Sequence, residues 1–213
     1  EFNQSSSSGG ILSGDTTLVL NNLIPNTNYT IKARAVNYNN IPSSATTITS
    51  TATYTNVPGV SAFIGINISS ISIQWGNNGN QLTPPTSYQV QISTDENFAV
   101  YSGSETFLLS AGTTTLSANT SYYFRVSAYN RWGGQSNYNN PIATYTLALS
   151  PGVASYIVYR TSISVTLSPN SNPDGTSIAI TTGTGGNEFD QSSSSGGILS
   201  GDTTLVLNNL IPN

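Results

Sequence analysis

The sequence contains no cysteine, no histidine and no methionine, and only 7% of its 213 residues are charged. Without cysteine the fold has no disulfide bonds, and catalysis by a thiol is excluded. Without histidine the chain lacks the side chain that serves most often as a general base and as a metal ligand. Small disulfide-bonded modules and the common hydrolytic triads are therefore excluded by composition.

Charge is also scarce: five basic and nine acidic residues give a net charge of −4. Nucleic-acid binding needs clustered cations, and a membrane span needs about 20 consecutive apolar residues, far more than any run here. We therefore expect neither a nucleic-acid partner nor direct membrane insertion. The basic residues are scattered along the chain, at Lys32, Arg34, Arg125, Arg131 and Arg160.

The sequence does contain short stretches in which apolar and polar residues alternate, bounded by Gly, Pro and Asn. In ISIQW, Ile71 and Trp75 share one face of a strand, and in SYYFRVSAYN the alternation directs Val126 inward and Arg125 and Ser127 outward. Helical periodicity is missing throughout. The pattern predicts an all-β chain of antiparallel β-sandwiches.

Two repeats organise the chain. Residues 1–26 recur at 188–213 with a single change, from Asn3 to Asp190, so the copies are 187 residues apart. A shorter match links LIPNTNYTIKARAVN at 23–37 with LSANTSYYFRVSAYN at 116–130, a shift of 93 residues. The repeating module is thus about 100 residues long, an ordinary domain size.

The L-x-P-x-T-x-Y pattern of residues 23–29, followed by alternating apolar residues, resembles the fibronectin type III family. The second copy, residues 116–122, keeps the leucine, threonine and tyrosine but has Ala118 in place of the proline. The resemblance implies tandem β-sandwich modules of the fibronectin type III or immunoglobulin-like kind, typical of a bacterial-type secreted or surface repeat protein. It also implies four structural core residues: Tyr29, Trp75, Tyr88 and Tyr122.

The internal matches place one complete module at residues 57–148. Residues 1–56 supply only the later strands of a module, and residues 149–213 only the earlier strands. Two interpretations follow: a window from a longer array with a two-module period, or a subunit whose partial modules complete each other between chains. The first is favoured, because two abutting chains would leave one copy of the duplicated 26 residues without a place.

No catalytic, metal or cofactor site is expected, and the sequence predicts that the chain is not an enzyme. The only close pair of carboxylates, Asp95 and Glu96, lies in a predicted loop where neighbouring side chains diverge. Asp15 and Asp174 are isolated turn residues.

Two further sets of residues are candidates for modification or binding. Four N-x-S/T triplets mark candidate glycosylation sites, although such triplets arise readily by chance in a chain rich in Asn and Thr. Arg131 and Trp132, in the loop 130–140, are candidates for stacking on a ligand or for contacting the adjoining module. The triplets begin at Asn3, Asn28, Asn67 and Asn119.

These features predict a non-enzymatic structural segment of a secreted or cell-surface repeat protein, acting as a stalk, fibre or filament. Its expected partners are copies of itself or adjoining modules, and a glycan is a further candidate. The alternatives are an adhesin or carbohydrate-binding segment that uses the Trp132 loop, and a spacer in a secreted polysaccharide-degrading enzyme.

Overall fold

The computed structural model of the chain describes residues 9–10, 17–81, 85–182 and 193–210. These residues contain fourteen β-strands and no helix, so the all-β prediction is confirmed. We call residues 1–56, 57–148 and 149–213 the N-terminal, middle and C-terminal segments. The strands are β1 (Asn28–Ala33), β2 (Thr46–Ala52), β3 (Ala62–Ile66), β4 (Ile71–Gln74), β5 (Ser87–Ser93), β6 (Ser102–Thr106), β7 (Ser110–Thr113), β8 (Ser121–Tyr129), β9 (Ile142–Tyr145), β10 (Gly152–Val158), β11 (Ile163–Ser168), β12 (Ser177–Thr182), β13 (Ser193–Ile198) and β14 (Thr203–Leu207).

In the N-terminal segment, β1 and β2 form a two-stranded antiparallel hairpin. Its register runs from Asn28 opposite Ala52 to Ala33 opposite Thr46. Only alternate side chains of β1 are even half-buried, and the rest of the hairpin is largely exposed.

The middle segment forms two antiparallel sheets, one of three strands in the order β3-β4-β7 and one of four in the order β6-β5-β8-β9. β5 pairs with β8 from Ser87 opposite Tyr129 to Ser93 opposite Tyr123. This is the arrangement of a β-sandwich, in which each strand directs alternate side chains inward.

The core of this sandwich is aromatic at its centre. Trp75, directly after β4, and Tyr88, in β5, lie with ring centroids 5.7 Å apart and planes inclined by 60°. Tilted rings at this distance suit the aromatic quadrupole and join the two sheets. Ile73, Val126 and Ala128 are fully buried beside them.

The outer face of β8 differs from the expectation of a solvent-facing surface. Ser127 is completely buried, and the guanidinium of Arg125 lies 4.1 Å from the ring centroid of Phe98 and 4.3 Å from that of Tyr138. Phe98 belongs to the loop after β5 and Tyr138 to the loop after β8. Alternation predicts which face a side chain takes but not which loop covers that face.

In the C-terminal segment, β10, β11 and β14 form a three-stranded sheet, and β12 pairs with β13. Aliphatic side chains fill the space between these strands, at the positions where the middle segment has aromatic rings. The buried cluster consists of Leu167, Ile178, Leu199 and Leu205.

The duplicated sequence adopts two different structures. In its second copy, residues 203–207 form β14 and pair with β11. In its first copy, the described residues 17–20 form no strand. Leu205 is 6% exposed, whereas the equivalent Leu18 is 52% exposed. A strand therefore forms from this sequence only where a neighbouring strand is present.

The described residues belong to two compact units. Unit 1 contains those of Glu1–Ala62, Ile73–Ala111 and Tyr123–Ile142, and unit 2 those of Phe63–Ser72, Gly112–Tyr122 and Ala143–Asn213.

Candidate functional site at two joints

Side-chain hydrogen bonds fix the linker at each of the two boundaries between segments. Joint 1 comprises the contacts that residues 26 and 53–57 make with residues 78–81, 86 and 128–130, all within unit 1. Joint 2 comprises the contacts that residues 119 and 146–150 make with residues 170–176, all within unit 2. The two joints use the same residue types at equivalent positions.

At joint 1 the carboxamide of Asn80 bonds to both the backbone N–H and the backbone carbonyl of one linker residue, Asn56. The backbone N–H of Asn56 donates to Asn80 Oδ1 at 2.7 Å, and Asn80 Nδ2 donates to the carbonyl oxygen of Asn56 at 2.9 Å. A carboxamide offers one acceptor and two donor hydrogens, so it can pair with a residue as a neighbouring strand would. Asn80 is 2% exposed.

Asn172 repeats this arrangement at joint 2. The N–H of Leu149 donates to Asn172 Oδ1 at 2.8 Å, and Asn172 Nδ2 donates to the carbonyl oxygen of Leu149 at 2.8 Å. The two asparagines are 92 residues apart, and the linker residues Asn56 and Leu149 are 93 apart. Because the contact uses only the backbone of the linker, it tolerates the change of side chain there.

A second asparagine holds the next linker residue in each joint. Asn78 Nδ2 donates to the carbonyl oxygen of Val57 at 2.8 Å, and Asn170 Nδ2 donates to that of Ser150 at 2.9 Å. Both asparagines have left-handed backbone angles, with φ of 49° and 50°. Asparagine tolerates this region better than most side chains, so the turn conformation itself favours it.

The third contact joins an asparagine to a threonine. Asn26 Nδ2 donates to Thr86 Oγ1 at 2.6 Å, and Asn119 Nδ2 donates to Thr176 Oγ1 at 2.8 Å. Each threonine hydroxyl donates in turn to a backbone carbonyl, at 2.8 and 2.7 Å. These short chains of hydrogen bonds leave the buried hydroxyls satisfied on both sides.

Joint 1 has two further contacts, which involve the end of β8. The hydroxyl of Thr55 donates to the carbonyl oxygen of Ala128 at 2.8 Å, and Asn130 Nδ2 donates to that of Thr53 at 3.0 Å. Thr55 and Asn130 are both 6% exposed. The linker of joint 1 is therefore held from two parts of the middle segment.

The predicted corner tyrosines lie beside the joints. Tyr29 Oη accepts a hydrogen bond from the backbone N–H of Ile24 at 2.9 Å, and Tyr122 Oη accepts one from that of Ser117 at 3.0 Å. Each bond spans five residues and fixes the corner that leads into β1 or β8.

Arg131 and Trp132, the predicted ligand or joint residues, follow β8. The Arg131 guanidinium lies 5.6 Å from the Trp132 ring centroid, and the indole is 45% exposed. In the same loop, Gly134 lies so close to Tyr54 that a Cβ added at Gly134 would be 2.9 Å from the tyrosine ring. The loop thus packs against the linker of joint 1 at Gly134. Trp132 does not take part in this contact and stays accessible.

A cleft of about 650 Å³ lies beside this loop. Its lining includes Glu105, Phe107, Tyr129 and Arg131. Burial raises the pKa of Tyr129 above its ordinary value, and Tyr138 and Glu105 raise it further. The phenol therefore stays protonated at neutral pH and can donate a hydrogen bond.

The candidate glycosylation sites differ in accessibility. Asn28 and Asn67 are exposed, whereas Asn119 is half-buried. The amide nitrogen of Asn119, the atom that a glycan would modify, already donates to Thr176 in joint 2. Asn3 lies outside the described residues.

The acidic pair Asp95 and Glu96 lies in a turn. Both carboxylate oxygens of Asp95 accept backbone N–H groups, of Asn97 at 3.0 Å and of Ala99 at 2.9 Å, and these bonds lower the pKa of Asp95. In the described part of the chain, no three His, Cys, Asp or Glu side chains group as metal ligands would. Those same residues contain no helix long and apolar enough to cross a membrane.

Sequence reasoning placed boundaries near residues 57 and 149, but it did not single out the asparagines and threonines that hold the linkers there, except Asn119, which it proposed as a glycosylation site. The signal lies in the internal repeat: an N-x-N spacing occurs at Asn78 and Asn80 and again at Asn170 and Asn172. In both cases it follows Trp75 or the equivalent Leu167.

No family model matches the chain, and no curated protein matches it. Solved structures similar to it are fibronectin type III domains. The domain of human fibronectin type III domain containing protein 3 is 22% identical, over 44% of this chain and 86% of that one, with a TM-score of 0.39. A two-domain segment of chicken tenascin is 17% identical, over 74% and 85%, with a TM-score of 0.48. The FN5 domain of Drosophila Lar is 18% identical, over 45% and 99%, with a TM-score of 0.35.

Proposed function

We propose that the chain is a non-enzymatic structural segment of a secreted or cell-surface tandem-repeat protein, contributing to a stalk, fibre or filament. Its modules are residues 1–56, 57–148 and 149–213, the first and last of them partial. The observation that carries the proposal is the repetition of the joint: three asparagine contacts recur with the same donors and acceptors at both boundaries.

A repeated joint of this kind suits a load-bearing array. Each linker is held by two hydrogen bonds to a buried carboxamide and one to an exposed carboxamide. A typical hydrogen bond contributes about 0.5–1.5 kcal/mol. Releasing the linker would leave carboxamides such as that of Asn80 without partners, which adds to the cost. The same hydrogen bonds thus hold the linker at both boundaries.

The chemistry of the joints also suits an extracellular location. Their contacts use carboxamides, hydroxyls and backbone groups, none of which titrates near neutral pH. Among the described residues, the contacts of the two joints include no ion pair that salt would screen. Such joints keep their strength across the range of pH and ionic strength met outside cells.

The partners in this proposal are adjoining modules and copies of the chain itself. Completion of a partial module by strands from another copy is one route by which a filament would grow. Exposed Asn28 and Asn67 are the candidate sites at which a glycan would be attached without disturbing a joint.

The proposal is tested by the mass and location of the native polypeptide. We expect a denatured species that carries more than one 187-residue period, or filaments built from shorter chains, labelled by antibody on intact cells. Labelling only after permeabilisation, together with a single short monomeric chain, would contradict the structural role.

The cleft favours one alternative, an adhesin or carbohydrate-binding segment. Phe107 is 65% exposed and lines the cleft together with Glu105 and Arg131. Trp132 is 45% exposed, and its ring lies 5.6 Å from the Arg131 guanidinium. Sugars bind by stacking on such rings while carboxylates and guanidinium groups bind their hydroxyls. Binding on a glycan array that is lost in Trp132→Ala but kept in Tyr38→Ala, an exposed aromatic elsewhere, would support this alternative. An array without any signal would remove it.

A further inference from the structure

Joint 1 contains the one Asn-Gly dipeptide of the sequence, Asn78–Gly79. An asparagine that precedes glycine is prone to deamidate, because glycine has no side chain to keep its backbone nitrogen away from the asparagine carboxamide. At the equivalent position of joint 2, Asn170 is followed by Ser171. The two joints therefore share their hydrogen bonds but differ at the residue that controls this reaction.

The structure places Asn78 and Gly79 in an exposed turn, so water and hydroxide reach it. Their φ angles are 49° and 77°. The backbone N–H of Asn80 closes the turn by donating to the carbonyl oxygen of Asn77 at 3.0 Å. A Cβ added at Gly79 would meet the carboxamide nitrogen of Asn56 at 3.7 Å and no other atom within 4 Å apart from its chain neighbours. The reacting pair is thus accessible to solvent in the folded chain.

The hydrogen bonds of joint 1 restrain both reacting groups. Asn78 Nδ2 donates to the carbonyl oxygen of Val57 at 2.8 Å, which holds the side chain on the linker. The carbonyl oxygen of Asn78 accepts a hydrogen bond from Asn56 Nδ2 at 2.9 Å, which holds the peptide group that contains the Gly79 nitrogen. Attack of this nitrogen on the carboxamide requires these groups to rotate. The reaction therefore waits for the linker to come free.

We propose that Asn78 is a deamidation site whose reaction rate is set by the opening of joint 1 and whose product leaves that joint weakened. The Gly79 nitrogen loses its proton to hydroxide and attacks Cγ of Asn78. The Cγ–Nδ2 bond breaks, and Nδ2 takes up a proton and leaves as ammonia. The resulting succinimide adds one water molecule and opens to aspartate or isoaspartate. The reactants are the chain and water alone, so the reaction does not depend on the role proposed above.

Deamidation removes the donor that Asn78 contributes to the joint. A carboxylate at this position has no hydrogen to donate to the carbonyl oxygen of Val57. Isoaspartate also lengthens the main chain by a methylene group after residue 78. This insertion lies two residues before Asn80, whose carboxamide pairs with Asn56. Both products therefore break the bond to Val57, and isoaspartate also displaces the pairing of Asn80.

Incubation of the native chain in mildly alkaline buffer tests the site. We expect release of ammonia, and a peptide containing residue 78 with the mass of the acid and with isoaspartate. The rate should rise with pH, because the deprotonated nitrogen of Gly79 is the nucleophile. The peptide containing Asn170 should stay unmodified over the same time. Any isomerisation of Asp174, which also precedes a glycine, changes no mass and is told apart in this way.

Exchanging the two following residues tests the cause. Gly79→Ser should stop the reaction at Asn78, and Ser171→Gly should start it at Asn170. Both substitutions suit the turn, because Gly79 and Ser171 have similar left-handed angles, with φ of 77° and 67°. Modification that stays at Asn78 in Gly79→Ser, or that never appears at Asn170 in Ser171→Gly, would overturn the proposal.

The control exerted by the joint is tested by the rate of deamidation at Asn78. We expect a faster reaction in urea and in Asn80→Ala, which frees the linker, than in the native chain. Asn137→Ala, an exposed loop substitution, should leave the rate unchanged. Equal rates in the native, Asn80→Ala and urea-denatured chains would show that joint 1 does not set the rate, and so would an Asn78 that never reacts in the folded Asn80→Ala chain.

Hydrogen exchange of the linker amides measures the effect of the modification on the joint. In the deamidated chain the N–H of Asn56, which donates to Asn80 at 2.7 Å, should exchange faster by a factor of roughly 2–10, as loss of about one hydrogen bond predicts. The N–H of Leu149, its counterpart in joint 2, should exchange at an unchanged rate. Unchanged exchange at Asn56 would overturn the proposed weakening of joint 1.

Discussion

At the scale of single residues, two buried tyrosines have opposite hydroxyl environments. Tyr122 accepts a hydrogen bond from the backbone N–H of Ser117 at 3.0 Å. Tyr88 is 1% exposed, and its hydroxyl has no partner among the described residues. Burial raises the pKa of Tyr88, so the group stays neutral there. One hydroxyl thus stabilises a corner, and the other is a desolvated polar group.

Removing each hydroxyl should separate these roles. We expect Tyr122→Phe to lower the free energy of unfolding by about 1–3 kcal/mol, because the N–H of Ser117 loses its acceptor. Tyr88→Phe should leave the free energy of unfolding unchanged or raise it, since the ring that contacts Trp75 is retained. Urea unfolding followed by tryptophan fluorescence measures both. An equal loss in the two variants would contradict the assignment.

At the scale of elements, the duplicated sequence shows that a strand needs a neighbour. TTLVL at residues 203–207 pairs with β11, and its two leucines are buried at 6% and 3% exposure. The same letters at residues 16–20 include Leu18 at 52% exposure. Intrinsic strand propensity is identical in the two copies, so the partner decides the outcome.

The matched leucines give a direct test. Leu205→Ala should destabilise the C-terminal segment by about 2–5 kcal/mol, because it opens a cavity in a buried cluster. Leu18→Ala should change stability by no more than about 0.5 kcal/mol, as exposed substitutions do. Hydrogen exchange of the β11 amides, at a concentration where the chain is monomeric, reports both. A comparable effect of Leu18→Ala would show that the first copy is also packed.

At the scale of the whole molecule, the joints restrain the linkers between the three segments of the chain. Joint 1 holds its linker through Asn78 and Asn80, and joint 2 through their counterparts Asn170 and Asn172. Carboxamides that pair with the linker backbone restrict its rotations through hydrogen bonds.

Spin labels measure this restriction at joint 1. With labels at Thr49→Cys and Ser104→Cys, both at exposed strand positions, we expect a narrow distribution of label separations. Asn80→Ala should broaden the distribution, because the backbone groups of Asn56 lose both partners. Asn137→Ala, an exposed loop substitution, is the control and should change nothing. An unchanged width in Asn80→Ala would show that the carboxamide does not stiffen the joint.

The sequence predicted much of the fold and little of the joint. Alternation and the two repeats gave the all-β class and the sandwich, because side-chain direction in a strand follows directly from the backbone. They did not reveal the pairing of Asn80 with Asn56. An asparagine in a turn-rich stretch has the same composition signal whether it caps its own turn or holds a linker 24 residues away.

What the sequence determined by itself is local and periodic: which stretches are able to form strands, how their side chains alternate, and where the sequence repeats. The tertiary structure decided what covers those faces. It buried Ser127 on a face that alternation directs outward and made a strand of residues 203–207 but not of 17–20. The physical reason is that burial and strand pairing depend on residues distant along the chain, and a local pattern carries no information about them.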